Sequence, residues 1–551
     1  MIAGIGNVQI PGSIDGDARQ TVEPCRGTDA VGRAICKRGS GQCRHDARGR
    51  HHADVSRAST AAQGDSTTED SVNWQRIVVV LAVLTVSASG LAAQPSATSG
   101  AAAGYMDQVD KFVLAEMRRE GVPGVAIGIV SKGGAIATRS YGDANVELGV
   151  PVTPKTMFQS GSVGKQFTAV AVMLQVEDGK LALDDSITKF FPDAPASWRP
   201  ITIRHLLTHT SGIPDYTEGP VDGSSQGIDL RRDYTEDELS KAAFGLPLEF
   251  EAGSRWSYSN TGYLLLGVII HKVSGRFYGE VLQERVFTPL GMKTARIISE
   301  ADIVPNRAAG YRLVNGELKN QEWVAPTLNT TADGSLYLSM LDLIAWDRGL
   351  RAQAILKSGS WSLIYSPVTL KSGKTYPYGF GWFLDESGGK PWYHHSGSWQ
   401  GFETCISRYL ADDVTVIVLS NLGDARPQRF VDGIAAIIDP QLAKLEPSAP
   451  IRDREPAVTE RLRTLLTAAR QGKLSPQDLP YMRGSFAAQV KHYEELLRPL
   501  DAQPRLNLVE RREMGDDRLY TYVVVYGTST LRVQLGLAPD DRVSVFDIEA
   551  D

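Results

Sequence analysis

Ser162-Val163-Gly164-Lys165, running on through Gln166-Phe167 to Leu174, decides how this chain is read. Serine and lysine three positions apart share one face of a helix, close enough for their side chains to meet. A neutral lysine amine beside the hydroxyl can take its proton during attack, and a helix start adds a positive field that steadies the alkoxide. Phe167, Val170, Ala171 and Leu174 recur at i, i+3, i+4 and i+7, which predicts an amphipathic helix ended by Gly179, with Ser162 at its first turn. The same four residues also read as an N-cap serine followed by a solvated lysine, so the rest of the chain has to decide.

The chain has 551 residues, too many for one ordinary domain, and two or three units are expected. Its 42% hydrophobic and 22% charged residues are those of a soluble globular protein, and a net charge of −6 leaves no basic footprint for nucleic acid. Residues 1–75 differ from the rest. They are rich in Gly, Arg, Asp and Ser, carry Cys25, Cys36 and Cys43, and lack apolar periodicity, so they read as disordered or as translation upstream of the true start. Cys43-Arg44-His45 with His51 and His52 hints at zinc, but the spacings fit no common site.

Arg76, the apolar run Ile77 to Leu84 and the small residues Ser87 to Ala93 have the build of a secretory signal over 76–94, which places the real start near Val72. An uncleaved anchor is the alternative, although the run is short for a membrane span. Cleavage near Ala93 would leave Cys405 as the one cysteine and no membrane span. Such a chain has no internal disulfide and depends on a large core, which fits a bacterial periplasmic or secreted enzyme.

From Tyr105 the pattern is that of a mixed domain. Asp107 to Arg119 reads as a helix, and Val125 to Val130 and Ala135 to Tyr141 as a hairpin around Lys132-Gly133-Gly134. A helix-rich and loop-rich middle follows. Strands return at Trp392 to Gly397, Glu403 to Arg408 and Val414 to Leu419. Strands at both ends with helices between predict an antiparallel sheet flanked by helices, first and last strands adjacent, with a helical subdomain and a groove between the two parts. Residues 441–455, with Glu446-Pro447-Ser448-Ala449-Pro450, read as a linker. Residues 456–551 then read as a small α+β unit: helices Val458 to Ala469 and Ala487 to Leu497, and a meander of Arg518 to Tyr526, Ser529 to Gly536 and Val543 to Ile548.

Two further segments can complete a site around Ser162. Tyr258-Ser259-Asn260 precedes the apolar helix Thr261 to Val273, which Gly275 ends. A tyrosine hydroxyl there can relay a proton with Lys165, and Asn260 can orient a carbonyl or amide; packed tyrosine and N-cap asparagine are the other reading. His395-Ser396-Gly397-Ser398 ends a strand, and Gly397 lets a substrate backbone come close. The Ser398 and Ser162 N–H groups would form an oxyanion hole, with His395 adding a hydrogen bond or partial positive charge. A satisfied histidine in a hairpin is the alternative.

Ser-x-x-Lys, Tyr-x-Asn and His-x-Gly in this order resemble the penicillin-recognising serine hydrolases, which include class C β-lactamases, D-Ala-D-Ala carboxypeptidases, D-aminopeptidases and family VIII esterases. The resemblance runs from about Met106 to Asp439 and extends to Gly179-Lys180-Leu181 through Asp184-Asp185, to Ile201 through His205-Leu206-Leu207-Thr208-His209-Thr210-Ser211-Gly212, and to Pro289-Leu290-Gly291-Met292. It implies a β-lactamase/transpeptidase-like α/β (α+β) fold. It makes Ser162 the nucleophile, Lys165 its partner, Tyr258 the general base and acid, Asn260 a substrate-positioning residue, and His395, Ser396 and Gly397 the substrate-binding third motif. Hydrolysis would pass through an acyl-enzyme, and no metal or organic cofactor is implied.

Class C β-lactamases usually carry Lys-Thr-Gly where this chain has His395-Ser396-Gly397. Histidine is mostly neutral at pH 7 and offers no fixed cation to a drug carboxylate. The expectation is therefore an esterase or a hydrolase of D-amino-acid peptides and amides, with β-lactam cleavage as the alternative and His395→Lys as the change that would strengthen lactam binding. A non-catalytic penicillin-binding sensor is the reading outside catalysis; the full set of catalytic side chains and the lack of any signalling segment speak against it. His205 and His209 have the i, i+4 spacing of a zinc pair, but no glutamate follows His205 and no third ligand is evident. Ser160 stands where a Gly-x-Ser-x-Gly elbow needs glycine, which excludes the α/β-hydrolase pattern.

Overall fold

The computed structural model describes residues 103–218, 227–297, 301–443, 449–481, 486–500 and 503–550. The expected N-terminal extension, the signal over 76–94 and residues 444–448 of the linker lie outside the described residues.

The chain begins its sheet with β1 (Gly124–Ser131), β2 (Ala135–Asn145) and β3 (Val150–Pro151), then leaves it for some 230 residues. It returns with β4 (Phe383–Ser387), β5 (Lys390–Trp399), β6 (Phe402–Tyr409) and β7 (Val414–Ser420). The order is β4-β5-β6-β7-β1-β2-β3, and every neighbouring pair is antiparallel. β1 and β7, the first and last long strands, lie side by side from Val125↔Ser420 to Val130↔Thr415. β1 reads as an unbroken small-and-apolar run because both of its faces are covered.

Five helices supply that cover: α1 (Ala103–Glu120), α2 (Lys165–Glu177), α3 (Asn260–Ser274), α4 (Met340–Arg351) and α5 (Pro427–Ile438). On one face Val109, Val113 and Met117 of α1 and Phe430, Val431 and Ile434 of α5 pack on Val125, Ile127, Ile129, Val416 and Val418. The other face, with Ala126, Ile406, Ile417 and Leu419, joins the core of α2, α3 and α4. The alternation of strand side chains sends each set to its own layer.

α2 departs from the amphipathic expectation. Every residue from Lys165 to Gln175 is buried, so the Phe167/Leu174 stripe is only part of a helix enclosed on all sides. Two of its polar members pair across the core: Trp346 Nε1 donates to Gln166 Oε1 at 2.9 Å, and Thr168 Oγ1 donates to Ala332 O at 2.6 Å. Gly275 ends α3 in the left-handed region at φ 71, where a side chain would be strained.

Beyond the linker, α6 (Pro456–Arg470) and α7 (Phe486–Leu497) cover a four-stranded antiparallel meander of β8 (Arg505–Met514), β9 (Asp517–Tyr526), β10 (Ser529–Leu537) and β11 (Val543–Ala550). These elements share their own apolar core. β8 was absent from the expected meander. It is an edge strand whose Glu510 to Met514 half is charged and largely exposed, so it carries little apolar alternation. The β8–β9 turn sits on the first domain: Gly515 N–H donates to Thr375 O at 3.1 Å, and Arg255 Nη2 pairs with Asp517 Oδ2 at 3.2 Å.

Candidate active site

The strand Met157–Gln159 pairs with Leu336–Ser339, and Ser160 N–H donates to Leu336 O at 2.7 Å. The chain therefore enters a tight 3₁₀ turn, Gly161–Gly164, from a held position, and Ser162 lies on that turn just ahead of α2. The turn presses against β5. Thr404 Oγ1 on β6 donates to Ser160 O at 2.6 Å. A Cβ on Gly397 would come within 2.1 Å of Ser160 O and 2.7 Å of Ser162 N, and one on Gly161 within 2.4 Å of Ser398 N. Only glycine allows this approach, which brings the backbones of Ser162 and Ser398 together as the oxyanion-hole expectation requires. β4 stops pairing at His394, so the next residues of β5 turn an edge free of strand partners toward the serine turn.

Lys165 is fully buried. Its Nζ donates to Ser162 Oγ at 3.0 Å, to Asn260 Oδ1 at 2.7 Å and to Asp333 O at 2.7 Å, which uses all three ammonium protons. Burial pulls its pKa from 10.5 to about 8, against the opposing pull of the Asp333 and Asp215 carboxylates. At pH 7 roughly a tenth of such an amine is free, against well under a thousandth at its ordinary value. Because an ammonium can only donate, Asn260 must turn its carbonyl to the lysine and leave its NH₂ for another partner. Asn260 N–H donates to Asp215 Oδ2 at 2.8 Å, which fixes the start of α3.

The Tyr258 ring lies 4.9 Å from Lys165 Nζ and stacks on His209 with centroids 4.2 Å apart. Its hydroxyl is buried without a hydrogen-bond partner of normal geometry, and burial lifts its pKa well above 10 despite the Ser162 side chain beside it. The phenol therefore rests protonated. Of the two candidate bases, Lys165 has the pKa suited to neutral pH, and Tyr258 is placed as a proton donor.

The third motif differs from expectation. The His395 side chain is fully buried, with Nε2 3.1 Å from Tyr378 Oη and Nδ1 2.6 Å from Ser396 O. Burial lowers its pKa to about 3, so it carries no positive charge toward a ligand, and the expected partial cation is absent. Its place among the Tyr258, Tyr378 and Phe383 rings also removes the basis for expecting His395→Lys to capture a carboxylate. Ser396 and Ser398, half-buried, alternate with His395 and Gly397 along β5.

Sequence reasoning missed Asp215, Asp333, His209 and Tyr378 as parts of this site. Asp333 accepts from Tyr216 Oη at 3.1 Å through Oδ2, its Oδ1 has no partner, and burial raises its pKa. His205 and His209, weighed as a metal pair, have separate duties. His205 Nδ1 accepts from Thr202 N–H at 3.1 Å in a helix cap, while His209 Nδ1 accepts from Ser259 N–H at 3.1 Å between Tyr258 and Asn260. His209 holds φ 56, a left-handed conformation costing about 1–2 kcal/mol for a non-glycine residue.

A serine whose hydroxyl meets a buried lysine, beside a tyrosine and an asparagine, brings together the side chains that acyl transfer to serine needs. The family model described as Beta-lactamase matches residues 109–438, and the chain belongs to that family. Penicillin-binding protein 4* of Bacillus subtilis (strain 168) is 33% identical over 307 residues, covering 53% of this chain and 67% of that protein. A D-aminopeptidase of Gluconobacter oxydans (strain 621H) is 27% identical over 337 residues, 59% of this chain and 62% of the relative. One of Brucella anthropi is 30% identical over 297 residues, 53% and 54% respectively. The chain thus spans about half to two thirds of these relatives. Among solved structures, the octameric penicillin-binding protein homologue from Pyrococcus abyssi aligns with a TM-score of 0.53 and 25% identity over 81% of this chain and 98% of its own. D-amino acid amidase from Ochrobactrum anthropi SV3, complexed with L-phenylalanine amide, aligns with a TM-score of 0.53 and 25% identity over 61% and 99%. The fold is the expected β-lactamase/transpeptidase-like one.

Proposed function

We propose that the protein hydrolyses small amides or peptides of D-amino acids, and related esters, through an acyl-enzyme on Ser162. The observation that carries this reading is the buried Lys165, held by Asn260 and Asp333 with its amine 3.0 Å from Ser162 Oγ and a pKa near 8. Lys165, as free amine, takes the proton as Oγ attacks the substrate carbonyl. The Ser162 and Ser398 N–H groups receive the oxyanion, and the Asn260 NH₂ aligns the acyl side. Tyr258 gives its proton to the leaving amine or alcohol and is reprotonated by Lys165; water then attacks the acyl-enzyme, losing a proton to Lys165, which returns it to Ser162 Oγ as the acid is released. The D-amino-acid substrate class is supported by the relatives named D-aminopeptidase and D-amino acid amidase.

A β-lactamase or carboxypeptidase is the second reading, supported by the penicillin-binding relatives. The neutral His395 counts against it, since this position offers no cation for the carboxylate such substrates carry. The run from Arg76 to Ala93 supports export as a secretory signal. No helix among the described residues is long and apolar enough to cross a membrane.

The test is turnover of D-alanine and D-phenylalanine amides, their L-forms, a short-chain ester panel and benzylpenicillin, beside Ser162→Ala, with intact mass followed over time. Loss of all turnover and of the acyl adduct in the folded variant, with D-amides preferred, is the expected result. Equal turnover by variant and wild type would sink the nucleophile. Preferred cleavage of benzylpenicillin would transfer the assignment to the second reading.

A further inference from the structure

His209, Tyr378 and His395 are buried in a row behind the site, and their proton positions can be worked out one atom at a time. Ser259 N–H can only donate, so His209 Nδ1, 3.1 Å away, is its acceptor and bears no proton. A neutral His209 then carries its proton on Nε2 and donates it to Tyr378 Oη at 3.1 Å. At the far end Ser396 O can only accept, so His395 Nδ1, 2.6 Å away, bears the proton and Nε2 is a bare acceptor. Tyr378 Oη lies 3.1 Å from that nitrogen. Tyr378 therefore accepts from one ring and donates to the other.

We propose that Tyr378 is a positioning residue, the middle link of a one-way chain of four hydrogen bonds from Ser259 N–H to Ser396 O. The chain ties Tyr258-Ser259-Asn260 to His395-Ser396-Gly397 and holds both histidines neutral. An extra proton on His209 would set two donors face to face against the Ser259 N–H, and one on His395 would make the Tyr378 hydroxyl turn its proton away to Tyr263 and reverse the link. Among the described residues, the titratable groups acting on Tyr378 and His395 include Lys165 from α2, Tyr258 ahead of α3, Tyr263 from α3, His394 from β5 and Tyr376. Tyr263 donates its own proton to Leu207 O at 2.8 Å, so toward the neighbouring Tyr378 hydroxyl it can only accept, as an alternative to His395 Nε2 for the Tyr378 proton. The chain explains how a third motif without a cation serves: His395 sets the edge of β5 on which Gly397 and Ser398 face Ser162, while His209 sets the backbone from which Tyr258 and Asn260 project. This role rests on the hydrolase reading above; the proton arrangement does not.

The experiment is ¹⁵N NMR of the histidine rings in the full chain between pH 5 and 8, assigned with His209→Gln and His395→Gln, together with Tyr378→Phe. The expected result is His209 as the Nε2–H tautomer and His395 as the Nδ1–H tautomer, with His395 not titrating. Tyr378→Phe should lower kcat at least tenfold on the best substrate, with KM within threefold and the melting temperature little changed. The opposite tautomer on either ring, titration of His395 near its ordinary pKa, or a wild-type kcat in Tyr378→Phe would overturn the proposal. If Tyr378→Phe does not fold, the wild-type spectrum decides. If no amide or ester is turned over, the hydrolase reading fails while the spectrum still decides the chain, and the rate arm becomes labelling of Ser162 by a fluorophosphonate.

Discussion

Replacing Lys165 by methionine should abolish hydrolysis and change how stability depends on pH. Lys165 ionises near 10.5 when unfolded and near 8 in the folded protein, a depression caused mainly by burial. Between those values the unfolded chain binds more protons, so wild-type stability rises with pH across the window. The cost of keeping this amine protonated in the core is fully present below pH 8 and gone above 10.5. At about 1.4 kcal/mol per pH unit, the cost is about 3 kcal/mol at pH 7 and about 1 kcal/mol at pH 10. Lys165→Met has no such term. It also loses the bonds to Ser162 Oγ, Asn260 Oδ1 and Asp333 O, but their charge-dependent part is already contained in the pKa of about 8, and the part that a neutral amine would make is the same at every pH. The stability of wild type relative to the variant should therefore improve by about 2 kcal/mol between pH 7 and 10. Urea unfolding of both proteins at pH 7, 8, 9 and 10, followed by tryptophan fluorescence, measures it. Parallel curves would refute the depressed pKa and, with it, the assignment of Lys165 as the base.

His395→Lys should destabilise the protein by about 3 kcal/mol or more, because it puts a charge in a dry aromatic pocket, and penicillin acylation should not improve. Thermal melting beside the acylation rate checks both. Gly397→Ala should cost at least tenfold in kcat, since its methyl group must displace Ser160 O or Ser162 N, and about 1–3 kcal/mol in stability; a wild-type kcat would show that the serine turn has slack. Arg255→Ala and Asp517→Ala should show a coupling of about 0.5–1 kcal/mol in a double-mutant cycle, as the pair is only partly exposed on either side. Additive effects would mean that the ion pair does not help seat the C-terminal unit.

Several choices were legible in the chain because local chemistry makes them. The i, i+3 spacing of Ser162 and Lys165 survives the finding that Ser162 sits on a 3₁₀ turn rather than inside α2, because the turn keeps the serine one helical step ahead of the lysine. The ends of α1 and α3 follow from Gly121 and Gly275, and the β1–β2 and β6–β7 hairpins from apolar runs on either side of the short turns Lys132-Gly133-Gly134 and Ala411-Asp412-Asp413. The adjacency of first and last strands follows from strand-rich ends around a helical middle. Tertiary structure alone decided the electrical state of the site. Asp215 and Asp333 stand 50 and 168 positions from Lys165 and act on it because folding brings their carboxylates up to a desolvated amine. His395 is neutral because it is sealed behind Tyr378, and His209 became a backbone anchor because Ser259 N–H points at it. Residue type and spacing carry bonding capacity along the chain, whereas desolvation and long-range pairing exist only once distant segments meet.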